Sequence, residues 1–152
     1  MKEIKSSKRA EDIISSLSEE DFWNEVIPMS EKSIEIKAPN VVYVKAAEEL
    51  AIDPMGVAGK VRIESVGDLI FEDKGEDNKG RFLDFYIRNN NLAEALEGRL
   101  RLRNTKNGYK IGIFVYDLKM KHNAFSIGQN AAEFILRTKL RALIDRLEKM
   151  EK

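Results

Sequence analysis

The chain predicts an α+β fold: a curved antiparallel sheet wrapped around one long C-terminal helix, with two short helices after the first strand. Three observations carry this. Leu136, Leu140, Leu143, Leu147 and Met150 recur every three or four residues, the spacing of one helical stripe. In the middle of the chain, apolar and polar residues alternate, most cleanly across residues 92–104, where Leu100 and Leu102 point one way and Arg99, Arg101 and Arg103 the other. Near the N-terminus, Leu17 and Phe22 flank Ser18 at the spacing of a hydrophobic staple, and Pro28 closes the segment. At 152 residues the length fits a single domain, 1–152, large enough to bury a core.

Taken in order, residues 1–7 alternate briefly, and Ile4 anchors an edge strand. Ala10, Ile13, Ile14 and Leu17 fall at helical spacing, with Ser6 or Ser7 as N-cap. A second helix starts at Ser18. Its first turn carries Glu19, Glu20 and Asp21, where carboxylates meet the positive end of the helix dipole. It buries Phe22, Trp23, Val26 and Ile27, with Trp23 as the corner's anchor, and stops near Pro28.

Strands follow. Ile34 and Ile36 alternate with polar neighbours, Pro39-Asn40 signals a turn, and residues 41–47 are β-prone. Residues 48–56, containing Pro54 and Gly56, read as a loop. Residues 57–72 read as a long strand or two short ones, with Gly67 marking a bulge or bend. Residues 73–80 read as an exposed turn, residues 81–88 as a strand, and Asn89-Asn90-Asn91 as its breaker. Asn107-Gly108 is a hairpin signal. The returning strand, residues 109–120, sets Ile111, Ile113 and Val115 on one face and Phe114, Tyr116 and Leu118 on the other. The last helix, from about residue 127 to 150, would run roughly 36 Å, with Ser126 or Asn123 as N-cap.

Composition narrows the function. Lys+Arg and Asp+Glu each number 26, a balance that argues against a dedicated nucleic-acid binder. Zero cysteines exclude disulfides and thiolate metal sites, and one histidine, His122, argues against a His-based metal centre or triad. No cofactor motif is present. The N-terminus has no apolar signal core and no run is long enough to cross a membrane, so a soluble, cytoplasmic protein is expected. Abundant Lys, Glu and Arg without cysteine fits a thermophile source.

The element order, carried by the Leu17–Ser18…Phe22–Trp23…Pro28 corner, the Asn107-Gly108 turn and the final helix beginning near Ser126, resembles the helix-grip fold of the START and Bet v 1-like superfamily, which includes polyketide-cyclase-like and lipid-transfer proteins. The chain is also similar to small archaeal helix-grip proteins of unknown function. The resemblance covers essentially the whole chain and implies an apolar or amphipathic ligand held between sheet and helix. It implies gate loops at residues 48–59, with Pro54 and Gly56, and at residues 89–92, with Asn90.

Under that reading Gly128, Ala131, Ala132 and Ile135 roof a cavity; otherwise the small residues simply let the helix approach the sheet. Phe85, Tyr86, Phe114 and Tyr116 are candidate wall residues, subject to register, since a one-residue slip exchanges the faces. Lys45 is a candidate partner for an acidic ligand group. The arginine row reads as a solvated outer face rather than an anion site, and Asp84 and Asp117 as outward carboxylates rather than a general acid and base. The expected function is binding or carriage of a small apolar or amphipathic molecule. A cyclase- or hydrolase-like enzyme and a ligand-free homodimeric interaction module are the alternatives.

Overall fold

The computed structural model describes residues 1–51, 53–121 and 129–151. The elements run β1 (Lys2–Lys5), α1 (Ala10–Ser16), α2 (Glu20–Val26), β2 (Glu31–Ala38), β3 (Val41–Ala51), β4 (Lys60–Asp77), β5 (Gly80–Arg88), β6 (Ala93–Thr105), β7 (Gly108–Met120) and α3 (Gln129–Lys149). All seven strands form one antiparallel sheet, ordered β1-β7-β6-β5-β4-β3-β2, curved into a half-barrel around α3. The fold is α+β, as the sequence predicts.

The turns are tight. Pro39-Asn40, Asn78-Lys79 and Lys106-Asn107 each link neighbouring strands as two-residue hairpins. The strands outrun their expected lengths. β3 continues through residues 48–51, and β4 runs on through residues 73–77, which had read as turn. The hydrophobic pattern fades there because those stretches carry charges, yet the backbone stays paired, Asp77 opposite Gly80.

Gly67 does not mark a bulge. It sits in register opposite Val44, and the shift in β4 falls between Asp73 and Gly75. Gly67 is small for another reason: a Cβ there would lie 3.0 Å from Asn90 Nδ2 and 3.2 Å from the Arg88 carbonyl. Gly108 has a similar role, since a Cβ would strike the Ile4 carbonyl where β1 lies against β7.

The caps differ from expectation. α1 starts at Ala10, and the Asp12 carboxylate accepts the Arg9 backbone N–H at 2.8 Å. α2 starts at Glu20, while the Ser18 hydroxyl donates to the Pro39 carbonyl at 2.6 Å instead of capping. His122, Asn123, Ser126 and Gly128 lie outside the described residues.

The C-terminus of α2 has no basic residue of its own in its last turn. Cations from elsewhere supply the missing donors. Lys32 Nζ donates to the Ile27 carbonyl at 3.0 Å, Lys139 Nζ to Pro28 at 2.6 Å and Arg146 Nη1 to Glu25 at 3.1 Å. Orphan carbonyls and the negative end of the dipole are satisfied together, and α3 is tied to the corner. Burial and then the nearby Arg146 charge hold the Lys32 ammonium below its ordinary pKa.

The core lies between α1, α2, the inner sheet face and the far end of α3. Ile4, Val26, Val42, Leu102 and Tyr109 are fully buried there. Trp23 anchors it: its indole N–H donates to the Leu17 carbonyl at 2.9 Å and its ring packs edge-on against Phe22. No described helix is long and apolar enough to cross a membrane.

Candidate functional site: an apolar cavity under the C-terminal helix

Sheet parity decides which side chains meet α3. Val44, Ala46 and Leu50 of β3 face inward with Ile63, Ser65, Gly67, Leu69 and Phe71 of β4. Phe85, Leu100, Ile113 and Val115 continue the wall across β5, β6 and β7. Together with Trp23 of α2 and Ala132, Ile135, Leu136, Leu140 and Leu143 of α3, they line a partly open cavity of about 350 Å³. That falls at the lower end of the roughly 300–1,000 Å³ typical of small-molecule sites.

The space has an identifiable origin. Ala46 is directly opposite Ser65 and Val44 opposite Gly67, so the middle of β3 and β4 presents short side chains. Ala93 and Ala132 add two more short residues to the wall. The leucines of α3 do not reach across. Only Ala132 and Leu147 of that helix are buried, while Leu136, Leu140 and Leu143 keep part of their surface open to the cavity. The room therefore extends past the first turns of the helix, along the stripe that its spacing had marked for close packing.

Among the described residues the polar groups of the wall are few. Asn90 is 5% exposed and spends its whole amide on structure. Its Nδ2 donates to Ser65 Oγ at 3.0 Å and to the Val66 carbonyl at 3.1 Å, and its Oδ1 accepts from Leu92 and Ala93 N–H at 2.8 and 2.7 Å. Asn91 stitches the same connection to β4 through Val66 N–H and the Glu64 carbonyl. Asn89 takes φ 54°, a left-handed conformation asparagine tolerates. The asparagine triplet thus closes the β5–β6 connection.

Lys139 of α3 also lines the cavity, and it is the only charged wall residue among those described. Its ammonium pairs with Glu48, both side chains being mostly buried. The sequence reading missed both. Glu48 fell in a stretch taken as loop, and Lys139 sits between Leu136 and Leu140, within the helical stripe, where a lysine is easily read as a solvated residue at its edge.

Of the residues singled out from sequence, the structure brings Ala132, Ile135, Phe85 and Asn90 to the cavity. Ala131 is half-buried but does not line it. Register places the other aromatic candidates outside. Phe85 opposes Gly98, which opposes Val115, so Tyr86, Phe114 and Tyr116 project from the outer face. Phe114 and Tyr116 are 42% and 62% exposed, and the Tyr86 hydroxyl accepts from Arg88 at 3.0 Å. Gly98 is needed on the inside, because a Cβ there would collide with the Phe85 ring.

Tyr116 is also the extra residue of a β-bulge, between the Gly98–Val115 and Glu97–Asp117 pairs. The bulge resets the alternation and turns Leu118 inward to the cavity, against the expected pattern. Lys45 is exposed on the outer face, opposite Ser33 and Val66, because its inward-facing neighbours are Val44 and Ala46. Pro54 and Gly56 lie in an exposed loop whose described residues do not line the cavity, held by Asp53 accepting the Val57 N–H at 3.0 Å.

The outer face also accounts for the arginine row and for the strand carboxylates. Arg99 pairs with Asp84 at 2.8 Å and Arg101 with Asp77 at 2.9 Å, and both guanidinium groups lie over the Phe82 ring. The Arg101 contact, then the Lys79 N–H, holds the Asp77 carboxyl below its usual range. Asp117 is exposed. At the closed end, the Tyr109 hydroxyl has no hydrogen-bond partner among the described residues. Burial first, then Glu151, pushes it up to about 12.

No protein-family model matches the chain, and no curated protein matches its sequence.

Proposed function

We propose that this protein binds or carries a small apolar or amphipathic molecule in the cavity between the sheet and the C-terminal helix. One observation carries the reading: a space of about 350 Å³ whose wall, among the described residues, is apolar apart from Ser65, Asn90 and Lys139. Close packing is the rule in protein interiors, and each void forfeits dispersion contacts. A chain that lines the space with Ala46, Ser65, Gly67 and Ala93 and with half-covered leucines keeps that room at a cost to stability. Occupation by a ligand returns it.

The architecture, a half-barrel sheet closed on a long final helix, is compatible with the helix-grip fold, and membership of the START and Bet v 1-like superfamily belongs to this proposal. So does its similarity to archaeal, thermophile proteins of that shape. The carrier reading is favoured over an enzyme because the described polar wall groups make no catalytic constellation: Asn90 and Ser65 pair with each other, and Lys139 with Glu48. Asn90 has no capacity left for a substrate, and Ser65 has no base beside it.

Trp23 makes the test direct. It is the only tryptophan, it lines the cavity, and its fluorescence will respond to a chain packed against it. Titration with straight-chain C8 to C16 compounds should shift or quench its emission saturably, with an optimum chain length. Native mass spectrometry of the freshly purified protein should release a discrete bound mass on denaturation. A flat fluorescence titration together with a clean apo mass would overturn the carrier reading and favour the homodimeric interaction module.

A further inference from the structure

Among the described residues the cavity wall carries one charged side chain, and its sign selects a ligand. We propose that the bound molecule is an amphipathic acid whose carboxylate, or an equivalent singly charged anionic headgroup, is received by Lys139 while its chain lies along Leu136, Leu140 and Trp23. The inference rests on the carrier reading above and names its ligand class.

The wall is asymmetric in the pair that carries the charge. Lys139 lines the cavity, whereas its partner Glu48 does not, so of the paired charges the lysine is the one whose side chain reaches the wall. An ammonium has three N–H donors. Two have acceptors among the described residues, the Pro28 carbonyl at 2.6 Å and Glu48. The third is available to a ligand oxygen without breaking either contact. A carboxylate buried in such a wall requires a cation, and no other cationic side chain lines the cavity among the described residues. Lys45, the lysine expected from sequence for this task, faces away.

An ammonium headgroup is disfavoured by the same arrangement. It would meet Lys139 first, and like charges in a low-dielectric wall repel. A neutral headgroup would accept from Lys139 but gain less, since hydrogen bonds with both partners charged are about twice as strong as neutral ones. Apart from Ser65 and the fully engaged Asn90, the described wall offers the rest of the ligand only apolar surface, so one headgroup and one apolar body is the composition that fits.

The experiment compares dodecanoate, dodecanol and dodecylamine at neutral pH, each below its micelle concentration, by Trp23 fluorescence and calorimetry. The wild-type protein should bind the acid about 10- to 100-fold more tightly than the alcohol, and the amine least. Lys139→Met keeps the aliphatic stem and should abolish that preference, the acid losing far more affinity than the alcohol. Glu48→Gln, which keeps the ammonium and removes its competing carboxylate, should hold or raise acid affinity. It also serves if Lys139→Met fails to fold.

Equal affinity for acid and alcohol in the wild type would overturn the inference and leave the carrier reading standing. So would an equal loss for both ligands in Lys139→Met, since the lysine would then only tie α3 to α2. Preference for the amine would move the headgroup site to Glu48. Absence of binding by all three, with a flat response across chain lengths, would remove both the carrier reading and this one.

Discussion

The two ends of α3 are built from the same residue type and do opposite things. At the far end Leu147, the last helix residue to reach the cavity wall, is 2% exposed and belongs to the same core cluster as Ile4, Leu102, Tyr109 and Ile111. One and two turns earlier, Leu143 and Leu140 line the same cavity as Ala46, Ser65 and Gly67 and remain partly uncovered. The leucine spacing is unchanged along the helix. What changes is the volume of the side chains the sheet sends to meet it. A cavity is therefore a property of two surfaces, and the helix alone does not determine it.

The largest expected effect comes from breaking the packed end. Leu147→Ala should cost about 3–5 kcal/mol in urea unfolding, because its neighbours are large and cannot collapse into the gap. Leu140→Ala, next to space that already exists, should cost about 1–2 kcal/mol. Equal losses at the two positions would mean the contrast between the ends is illusory.

Asn90→Ala tests the wall that closes the cavity side. The substitution strands the Leu92 and Ala93 N–H donors in a buried site and should cost about 2–4 kcal/mol, more than its exposed neighbour Asn89→Ala. Amide exchange should show the loss concentrated at residues 90–93. A drop spread evenly over the sheet would assign Asn90 no special part in closing the connection.

Much of the fold was legible from residue spacing. The helical stripe, the Leu17 to Pro28 corner and the strand alternation are local signals, each repeated often enough to outweigh exceptions. The site was less so, and the reasons are specific. Tyr86, Phe114 and Tyr116 were assigned on aromatic character, but the face a strand residue occupies depends on register and on bulges, and the bulge at Tyr116 leaves no mark in composition. Lys139 and Glu48 are separated by 91 positions, and only the folded sheet brings them together. Ala46, Ser65 and Gly67 make the room, yet small residues in a strand look like weak β-formers until their opposite numbers are known. Phe85, Asn90, Ala132 and Ile135 reached the wall because parity and the helical face happened to agree with the sequence signal.

Filling the space sharpens the comparison further. Ala46→Leu places a larger side chain opposite Ser65, into the cavity. It should raise the melting temperature by about 2–4 °C, corresponding to roughly 1 kcal/mol in a chain of this size, and abolish the Trp23 response to added ligands. A lowered melting temperature would mean that the short side chains serve close approach of the helix, and that the space is narrower than 350 Å³ indicates.

The smallest effect at neutral pH lies inside the packed end itself. Tyr109 is fully buried, and its hydroxyl is unpartnered among the described residues, so Tyr109→Phe should change stability by no more than about 1 kcal/mol, in the stabilising direction. Alkaline pH amplifies the difference. The folded-state pKa of about 12 lies above the ordinary 10.0, so between those values the unfolded chain has lost a proton that the folded chain retains. Tyr109 therefore contributes its full stabilisation below pH 10 and loses it progressively toward pH 12, by up to about 2 kcal/mol. Urea midpoints measured from pH 9 to 12 should fall less steeply for Tyr109→Phe than for the wild type. Parallel slopes would show the phenol ionising freely in the fold, which a fully buried ring in the core cluster of Ile4, Leu102 and Leu147 should not permit.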